Sequence, residues 1–247
     1  ELPPDSSHGA QLLHYIGDVI VNGNAQVAGR KKPKVLKQPA APLIERQSPA
    51  NGVRQILDSD GPEAVAEYMK RSKVPLVTDT TFRDAHQSLL ATRVRTRDMI
   101  KVAEGFAKAH PQTFSMEMWG GATFDTSMRF LQECPWERLA QLRKKIPNIP
   151  FQMLLRASNA VGYTNYPDNV VREFIRTSAA EGIDVFRVFD SLNWTENMKV
   201  AMKTVREETS SICEAAICYT GDMLNPRRGK YNLDYYLKMA KELEALG

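Results

Sequence analysis

Short apolar runs alternate with longer stretches of helical periodicity from Pro75 to the end of the chain. Such runs are typical of buried parallel strands, which are apolar on both faces. Strands are predicted at Leu76–Thr81, Phe114–Trp119, Phe151–Arg156, Val185–Asp190 and Ala215–Thr220. Helices are predicted at Arg97–Lys108, Thr126–Lys145 with an interruption at Pro135, Asp168–Glu181, Thr195–Glu208 and Leu233–Leu246, with Asp168 and Thr195 as N-caps. The pattern is that of consecutive strand–helix units.

The first 74 residues have a different pattern and are interpreted as an N-terminal connector between domains. An amphipathic segment, Leu12–Gly23, ends in an Asn-Gly turn and is followed by a proline-punctuated stretch up to Pro49. Asp60 and Pro62 then offer an N-cap and an early-turn proline for a short helix before the first strand. The predicted domain boundary therefore lies between residues 74 and 75.

Two α/β folds fit five strand–helix units. One is an open sheet of flavodoxin type, and the other is a TIM (β/α)8-type barrel of which about five of the eight units are present. An open sheet binds ligands at one crevice, whereas a barrel carries polar residues at the end of every strand. The chain has polar residues after all of its predicted strands, which favours the barrel.

The polar groups at the strand ends form the candidate site. The first strand runs into Arg83, Asp84, His86 and Gln87. The other ends carry, in chain order, Gly120 to Asp125, Arg156 to Tyr163, Asp190 to Asn193 and Tyr219 to Asp222. Two arginines beside a carboxylate suit a small anionic substrate next to a hard cation, because guanidinium pairs with carboxylates and such metals take oxygen ligands.

Each of these residues also fits a structural role. Asp84 and Asp125 fit helix or turn caps, Arg156 fits a structural ion pair, His86 fits a hydrogen-bonded loop histidine, and Tyr163 fits a packed loop aromatic. Met116, Met118 and Met153 are predicted strand core residues. Only the expected convergence of the polar groups at one face favours the functional interpretation.

Composition adds only broad limits. The chain has 43% hydrophobic and 25% charged residues and a net charge of +4, which is ordinary for a globular protein and gives no sign of nucleic-acid binding. The basic run Arg30–Lys34 is either a solvated linker or a contact for an acidic partner. Three cysteines without metal-type spacing, no signal peptide and no membrane-length apolar run predict a reduced, cytoplasmic compartment and no membrane contact.

Long motifs at the strand ends resemble the carboxyltransferase domain of biotin-dependent pyruvate carboxylases. They are Asp79–Arg93 (DTTFRDAHQSLLATR), Met116–Asp125 (MEMWGGATFD), Leu155–Tyr163 (LRASNAVGY) and Phe186–Asn193 (FRVFDSLN). The resemblance runs from about Pro75 to Gly247. The Arg-Asp-Ala-His-Gln core is shared with related decarboxylases and transcarboxylases, but Leu12–Gly23 resembles the stretch that follows the biotin carboxylase part of single-chain pyruvate carboxylases.

The resemblance implies a ligase that transfers a carboxyl group from carboxybiotin to pyruvate, giving oxaloacetate for anaplerosis and gluconeogenesis. It implies a metal site, commonly zinc or manganese, with Asp84 as a ligand. It further implies that Gln87 and Arg156 hold pyruvate, that Arg83 orients the reacting groups and supports biotin, and that Asp125 and Tyr163 lie where biotin enters. Asp190 is included among the catalytic residues chiefly because it ends a strand.

The resemblance also implies components that this sequence does not contain. In the family, a carboxylated lysine, a His-x-His pair and a proton-relaying threonine lie on later strands, whereas the histidines here are His8, His14, His86 and His110. Biotin and the ATP- and Mg-using biotin carboxylase domain are expected elsewhere in a longer, homotetrameric chain that acetyl-CoA activates. Residues 1–247 alone are therefore expected to be inactive.

Two alternatives stay open from the sequence. One is the carboxyltransferase subunit of a biotin-dependent oxaloacetate decarboxylase or transcarboxylase, which no biotin carboxylase domain would precede. The other is a non-enzymatic role, in which residues 1–74 act as a tether or allosteric spacer and the remainder as a scaffold.

Overall fold

The computed structural model describes residues 8–24, 28–29, 48–225, 227 and 229–247. The chain divides into two compact units, Glu1–Leu43 and Ile44–Gly247. In the first unit, α1 (His8–Asn22) occupies the predicted amphipathic segment and ends at Gly23, whose φ of 78° is the left-handed conformation that glycine adopts readily. The basic run Arg30–Lys34 lies outside the described residues.

The second unit is built on one parallel sheet whose five strands follow chain order. The strands are β1 (Thr78–Asp79), β2 (Ser115–Trp119), β3 (Phe151–Leu155), β4 (Val185–Phe189) and β5 (Ile212–Ala216). A flavodoxin-type sheet would have the order 2-1-3-4-5. Because each strand here pairs with the next one in sequence, the architecture is that of a partial TIM-type barrel, as the strand ends predicted.

Helices connect the strands and cover one side of the sheet. They are α2 (Val53–Arg71), α3 (His86–Leu90), α4 (Thr96–Ala109), α5 (Thr123–Thr126), α6 (Pro135–Lys145), α7 (Asp168–Ala180), α8 (Thr195–Glu208) and α9 (Leu233–Leu246). Two π-helical turns, Thr81–Ala85 and Ser127–Leu131, and one 3₁₀ turn, Ala157–Asn159, lie directly after strands or short helices.

Two strand predictions were wrong in position. The fifth strand is Ile212–Ala216 rather than Ala215–Thr220, because Ile212 donates its N–H to Asp184 O and opens the register with β4. Cys218 lies beyond this pairing, and its N–H donates instead to the Asn193 side chain. The first strand is only two residues long, because the chain turns at Thr80, whose carbonyl accepts the N–H of Arg83 and of Ala85.

Two N-cap predictions were also wrong. Asp168 and Thr195 are the first helical residues rather than N-caps, and neither helix has a side-chain cap. The interruption predicted at Pro135 within Thr126–Lys145 is confirmed, since Gln132 adopts a left-handed φ of 54° and Pro135 begins α6. The short helix predicted after Asp60 is the second part of α2 (Val53–Arg71), which is divided by a kink where Gly61 has a non-helical φ of 83° and Pro62 follows.

The two faces of the sheet differ in character. Met116, Met118 and Met153 belong to the main hydrophobic core, as predicted. Alternate residues of the strands point to the opposite, concave face, and several of them are polar or charged: Glu117, Gln152, Arg187 and Glu214. There Glu214 accepts hydrogen bonds from Gln152 and Arg187.

Helix α2 packs on this second unit, although the sequence assigned it to the connector. Val53, Leu57 and Val65 form a small core with Phe114 and Ile212. The division between compact units thus falls at residues 43 and 44, while the role of residues 1–74 as a link between domains stays a prediction.

Candidate functional site at the strand ends

Arg83 and Asp84 lie together in the π-helical turn after β1. Arg83 Nη1 donates to Asp84 Oδ1 at 2.8 Å, and Arg83 Nη2 donates to Glu117 Oε1 on β2. The Arg83 side chain is buried, whereas the Asp84 side chain is 49% exposed. Asp84 therefore presents an accessible carboxylate whose inner oxygen is held by a buried guanidinium.

Glu117 is the partner that the sequence analysis missed. Its side chain is only 1% exposed, and burial raises the pKa of its carboxyl, although the hydrogen bond and charge of Arg83 oppose that rise. The feature of the sequence that could have identified Glu117 is that it is the single carboxylate inside the apolar run Ser115–Trp119. A buried acid in such a run requires a cationic partner, but the sequence does not tell which cation supplies it.

Gln87 packs against the glycine pair that follows β2. Its Oε1 accepts the N–H of Ala122 at 3.1 Å. A Cβ atom at Gly121 would lie 2.3 Å from this oxygen, and the φ of Gly121 is +51°. Close approach and left-handed backbone thus both require glycine there, and they fix Gln87 beside the β2 loop.

A second group of predicted residues lies after β3 and β4. Arg156, Asn159, Gly162, Tyr163, Phe189, Asp190 and Ser191 line a cavity of about 260 Å³. Arg156 Nη1 donates to Gly162 O at 3.0 Å, and the guanidinium carbon lies 5.1 Å from the Tyr163 ring centroid. Among the described residues, no carboxylate forms an ion pair with Arg156, so the structural ion pair considered from the sequence is not found there.

Asp190 lies in the same cavity, but its carboxylate is engaged by the start of the α8 segment. It accepts hydrogen bonds from the N–H groups of Leu192 and Trp194 and from the Asn197 side chain, at 2.9, 3.0 and 2.9 Å. Burial would raise the pKa of Asp190, yet these three hydrogen bonds outweigh it and lower the pKa. The carboxylate is thus ionised and organises the β4–α8 loop.

Asp125 and His86 have local partners. Asp125, in α5, forms an ion pair with Arg129 one helical turn away, at 3.1 Å. His86 is buried, and its Nε2 lies 2.8 Å from Phe82 O. Burial lowers the pKa of His86, which fits the hydrogen-bonded loop histidine considered from the sequence.

The contacts described above connect the predicted residues in two sets at the strand ends. Arg83, Asp84 and Gln87 lie at the β1 and β2 ends, and Arg156, Tyr163 and Asp190 lie at the β3 and β4 ends. Both groups are at the carboxyl edge of the same parallel sheet, where TIM-type barrels place their active sites.

A metal requires more than Asp84. Within the described ranges, no three His, Cys, Asp or Glu side chains are grouped so that they could hold a metal ion. The described residues therefore do not by themselves form the zinc or manganese site that the family resemblance implies. Among the described helices, none has the length and apolarity that a membrane crossing requires.

Known proteins resemble this chain over almost all of its length. Pyruvate carboxylase of Bacillus subtilis is 56% identical over 245 residues, which cover 99% of this chain and 21% of that protein. The solved carboxyltransferase domain of Rhizobium etli pyruvate carboxylase with pyruvate and biocytin is 54% identical, with a TM-score of 0.80, covering 98% of this chain and 40% of that domain.

A third relative is Rhizobium etli pyruvate carboxylase with the allosteric activator acetyl coenzyme A. It is 52% identical, with a TM-score of 0.82, and covers 100% of this chain and 22% of that protein. No family model matches the chain. The chain spans about a fifth of the length of the curated relatives that it matches. Over the segment that it covers, the chain therefore belongs to the pyruvate carboxylase family and corresponds to part of its carboxyltransferase domain.

Proposed function

We propose that this chain forms part of a site that transfers a carboxyl group from carboxybiotin to pyruvate and so produces oxaloacetate. The solved relative that contains pyruvate and biocytin supports this assignment of substrates. The relatives described above are pyruvate carboxylases, which favours this reaction over that of a decarboxylase subunit or a non-enzymatic scaffold.

The observation that carries the proposal is the state of Arg156. Its guanidinium lines a cavity of about 260 Å³ and donates one hydrogen bond to a backbone carbonyl. The described part of the chain supplies it with no carboxylate partner, so further N–H donors remain for a ligand. A guanidinium binds a carboxylate through two parallel hydrogen bonds, and pyruvate is a small molecule with one carboxylate.

The reaction builds negative charge that fixed cations stabilise. A proton leaves the pyruvate methyl group, and the resulting enolate carries charge on the keto oxygen. The C–N bond of carboxybiotin breaks to release carbon dioxide, the enolate carbon forms a new C–C bond with it, and the biotin nitrogen takes up a proton. Water must be excluded, because it would protonate the enolate first.

The predicted roles map onto the two groups. Arg156 and Gln87 would bind pyruvate, Arg83 would orient the reacting groups and support biotin, and Asp125 and Tyr163 would line the entry of biotin. Asp190 would act by holding the β4–α8 loop of the Arg156 cavity. Asp84 is proposed as one metal ligand, but no step is assigned to a metal, because the described residues do not complete such a site.

The remaining partners are proposals for a longer protein. They are a biotin carboxyl carrier domain, a biotin carboxylase domain that uses ATP and Mg, a homotetrameric assembly and activation by acetyl-CoA. The relative with bound acetyl coenzyme A supports the last of these. A contribution of the basic run Arg30–Lys34 to that activation, and a cytoplasmic location, stay predictions.

A domain chimera tests the proposal. In it, this chain replaces the matching segment of the Rhizobium etli carboxyltransferase domain, which has been solved as a separate domain. We expect the chimera to convert oxaloacetate to pyruvate in the presence of biocytin, which is the reverse of the proposed transfer, within about tenfold of the parent rate.

The parent domain is the control for the assay. The isolated 247-residue chain is expected to be inactive in it. A chimera that folds, as judged by its circular dichroism and melting temperature, yet gives no biocytin-dependent pyruvate would contradict the proposed function.

A further inference from the structure

Glu117 has an unusual environment for a carboxylate. It lies in the middle of β2, on the concave face of the sheet, and its side chain is 1% exposed. Oε1 accepts from Arg83, whereas Oε2 has no hydrogen-bond partner among the described residues. Burial also raises the pKa of the carboxyl, which means that its ionised form is costly at this position.

Stability alone does not account for this pair. A buried ion pair must overcome the desolvation of both charges, and well-packed apolar residues of similar volume often serve stability equally well or better. Here the gain in stability from the ion pair is smaller still relative to the cost of desolvation, because Glu117 Oε2 and Arg83 Nε are both buried without a hydrogen-bond partner in the described part of the chain. The pair therefore calls for another explanation.

The geometry around Arg83 supplies one. Its two terminal nitrogens bind two different carboxylates, with Nη2 on Glu117 and Nη1 on Asp84. Gly120 limits the guanidinium on another side, because a Cβ there would lie 3.3 Å from Arg83 Nε and 2.8 Å from Leu154 Cβ. Since a guanidinium is planar, two anchored nitrogens and one close wall fix both its position and its plane.

We infer that Glu117 is a positioning residue, which holds Arg83 at the β1 strand end so that Arg83 orients the accessible carboxylate of Asp84 and the reacting groups. Glu117 lies behind Arg83 and, through it, acts on a group that is 49% exposed. This inference deepens the proposed function and rests on it for the chemical role of Arg83. The positioning itself is a structural property that can be measured separately.

The kinetic test uses Glu117→Gln in the domain chimera. The substitution keeps shape and one acceptor but removes the charge that holds Arg83. We expect kcat for biocytin-dependent decarboxylation to fall by about 10- to 100-fold, since small misplacements of a reacting group have effects of this size. The KM for oxaloacetate should change by less than about threefold, because ligand binding is assigned to Arg156 and Gln87, and no hydrogen bond of the described residues joins Glu117 to either.

Glu214→Gln is the matched control. Glu214 is also a strand glutamate on the concave face and forms an ion pair with an arginine, Arg187, at 2.9 Å. Its hydrogen-bond and ion-pair partners among the described residues are Gln152 and Arg187 and not Arg83, so we expect kcat within about twofold of the parent chimera. Equal losses for both variants would indicate a general effect of charge on the sheet and would overturn the inference.

A double-mutant cycle separates positioning from stability. If Glu117 acts through Arg83, adding Glu117→Gln to Arg83→Lys should lower kcat by no more than about twofold further. Glu117→Asp retains the charge and should recover part of the activity that Glu117→Gln loses. It also replaces Glu117→Gln as the test variant if the latter fails to fold. Additive losses, or an unchanged kcat in Glu117→Gln, would contradict the role.

A crystal structure of the Glu117→Gln chimera gives a result that does not depend on activity. We expect the Arg83 guanidinium to move away from Gly120, and the distance between Arg83 Nη1 and Asp84 Oδ1 to change. If Arg83 and Asp84 keep their positions, the inference fails, whatever the assay gives. Conversely, an inactive parent chimera would count against the proposed function, while a displaced Arg83 would still support the positioning by Glu117.

Discussion

Arg83 lies in the turn after β1 and Arg156 directly follows β3, yet their surroundings are opposite. Arg83 is buried and paired with two carboxylates, Asp84 and Glu117. Arg156 is half-buried, lines a cavity and contacts only a carbonyl oxygen and the Tyr163 ring among the described groups. The first arginine is thus held by the fold, while the second retains donors for a ligand.

This difference separates two ways of using a cation at a barrel mouth. A guanidinium whose charge is already compensated can orient neighbouring groups, but it contributes little net attraction to an incoming anion. A guanidinium without a partner attracts and binds an anion directly. We therefore propose that Arg156 at the β3–β4 end is the main source of affinity for the substrate carboxylate, with Gln87 as a second contact, and that Arg83 at the β1–β2 end orients the reacting groups.

The largest expected effect is on stability, from removal of the buried cation. Arg83→Gln in the domain chimera leaves Glu117 in the sheet without its partner, and breaking a buried pair in this way costs about 3 to 5 kcal/mol. The free energy of unfolding, measured by urea denaturation, should fall by that amount. Arg156→Gln removes one hydrogen bond to a carbonyl and should cost about 1 kcal/mol or less.

Equal losses in the free energy of unfolding for the two substitutions would contradict the difference drawn between Arg83 and Arg156. If Arg156→Gln proved as destabilising as Arg83→Gln, Arg156 would have a structural role that its described contacts do not reveal. The double variant Arg83→Met with Glu117→Met sharpens the result, because removal of both charges should restore much of the stability that Arg83→Gln loses.

A smaller effect concerns Asp190 and pH. Its folded-state pKa is lowered from the ordinary value of 3.8, so its contribution to stability is present above that value and is lost as the pH falls through the folded-state pKa. Asp190→Asn should therefore lower the free energy of unfolding by about 1 kcal/mol at pH 7, and the difference should begin to shrink as the pH falls below 3.8. Urea denaturation of both proteins from pH 7 to pH 3 measures this.

The outcome also tests how Asp190 is used. A pH-independent difference would mean that its charge does not stabilise the β4–α8 loop. If Asp190→Asn abolished kcat while stability stayed unchanged, Asp190 would contact the reacting groups directly, and its assignment to the loop would be wrong.

The sequence predicted the sheet well where strands are buried on both faces. β2, β3 and β4 were predicted to within one residue at each end, because their apolar runs coincide with the paired segments. The fifth strand was predicted too late because Glu214, which points to the concave face, interrupts its apolar run. In β2 and β4, by contrast, Glu117 and Arg187 are flanked by larger apolar residues on both sides, so these strands were still recognised.

The sequence placed the candidate site residues at the strand ends but did not predict their contacts. The motifs contain both Arg83 and Arg156, but a structural ion pair was considered only for Arg156 and not for Arg83. The structure reverses this, since Glu117 lies 34 positions from Arg83 and meets it only because β1 and β2 are neighbours. Contacts between strands depend on register, which sequence patterns at single strand ends do not contain.

Binding of pyruvate to Arg156 variants tests the central claim most directly. Isothermal titration calorimetry of the domain chimera with pyruvate should show that Arg156→Gln weakens binding by about 10- to 100-fold, as expected for the loss of a charged hydrogen-bonding partner. Glu117→Gln should bind pyruvate within about threefold of the parent chimera. Unchanged affinity in Arg156→Gln, or an equal loss in both variants, would contradict the assignment of substrate binding to the β3–β4 end.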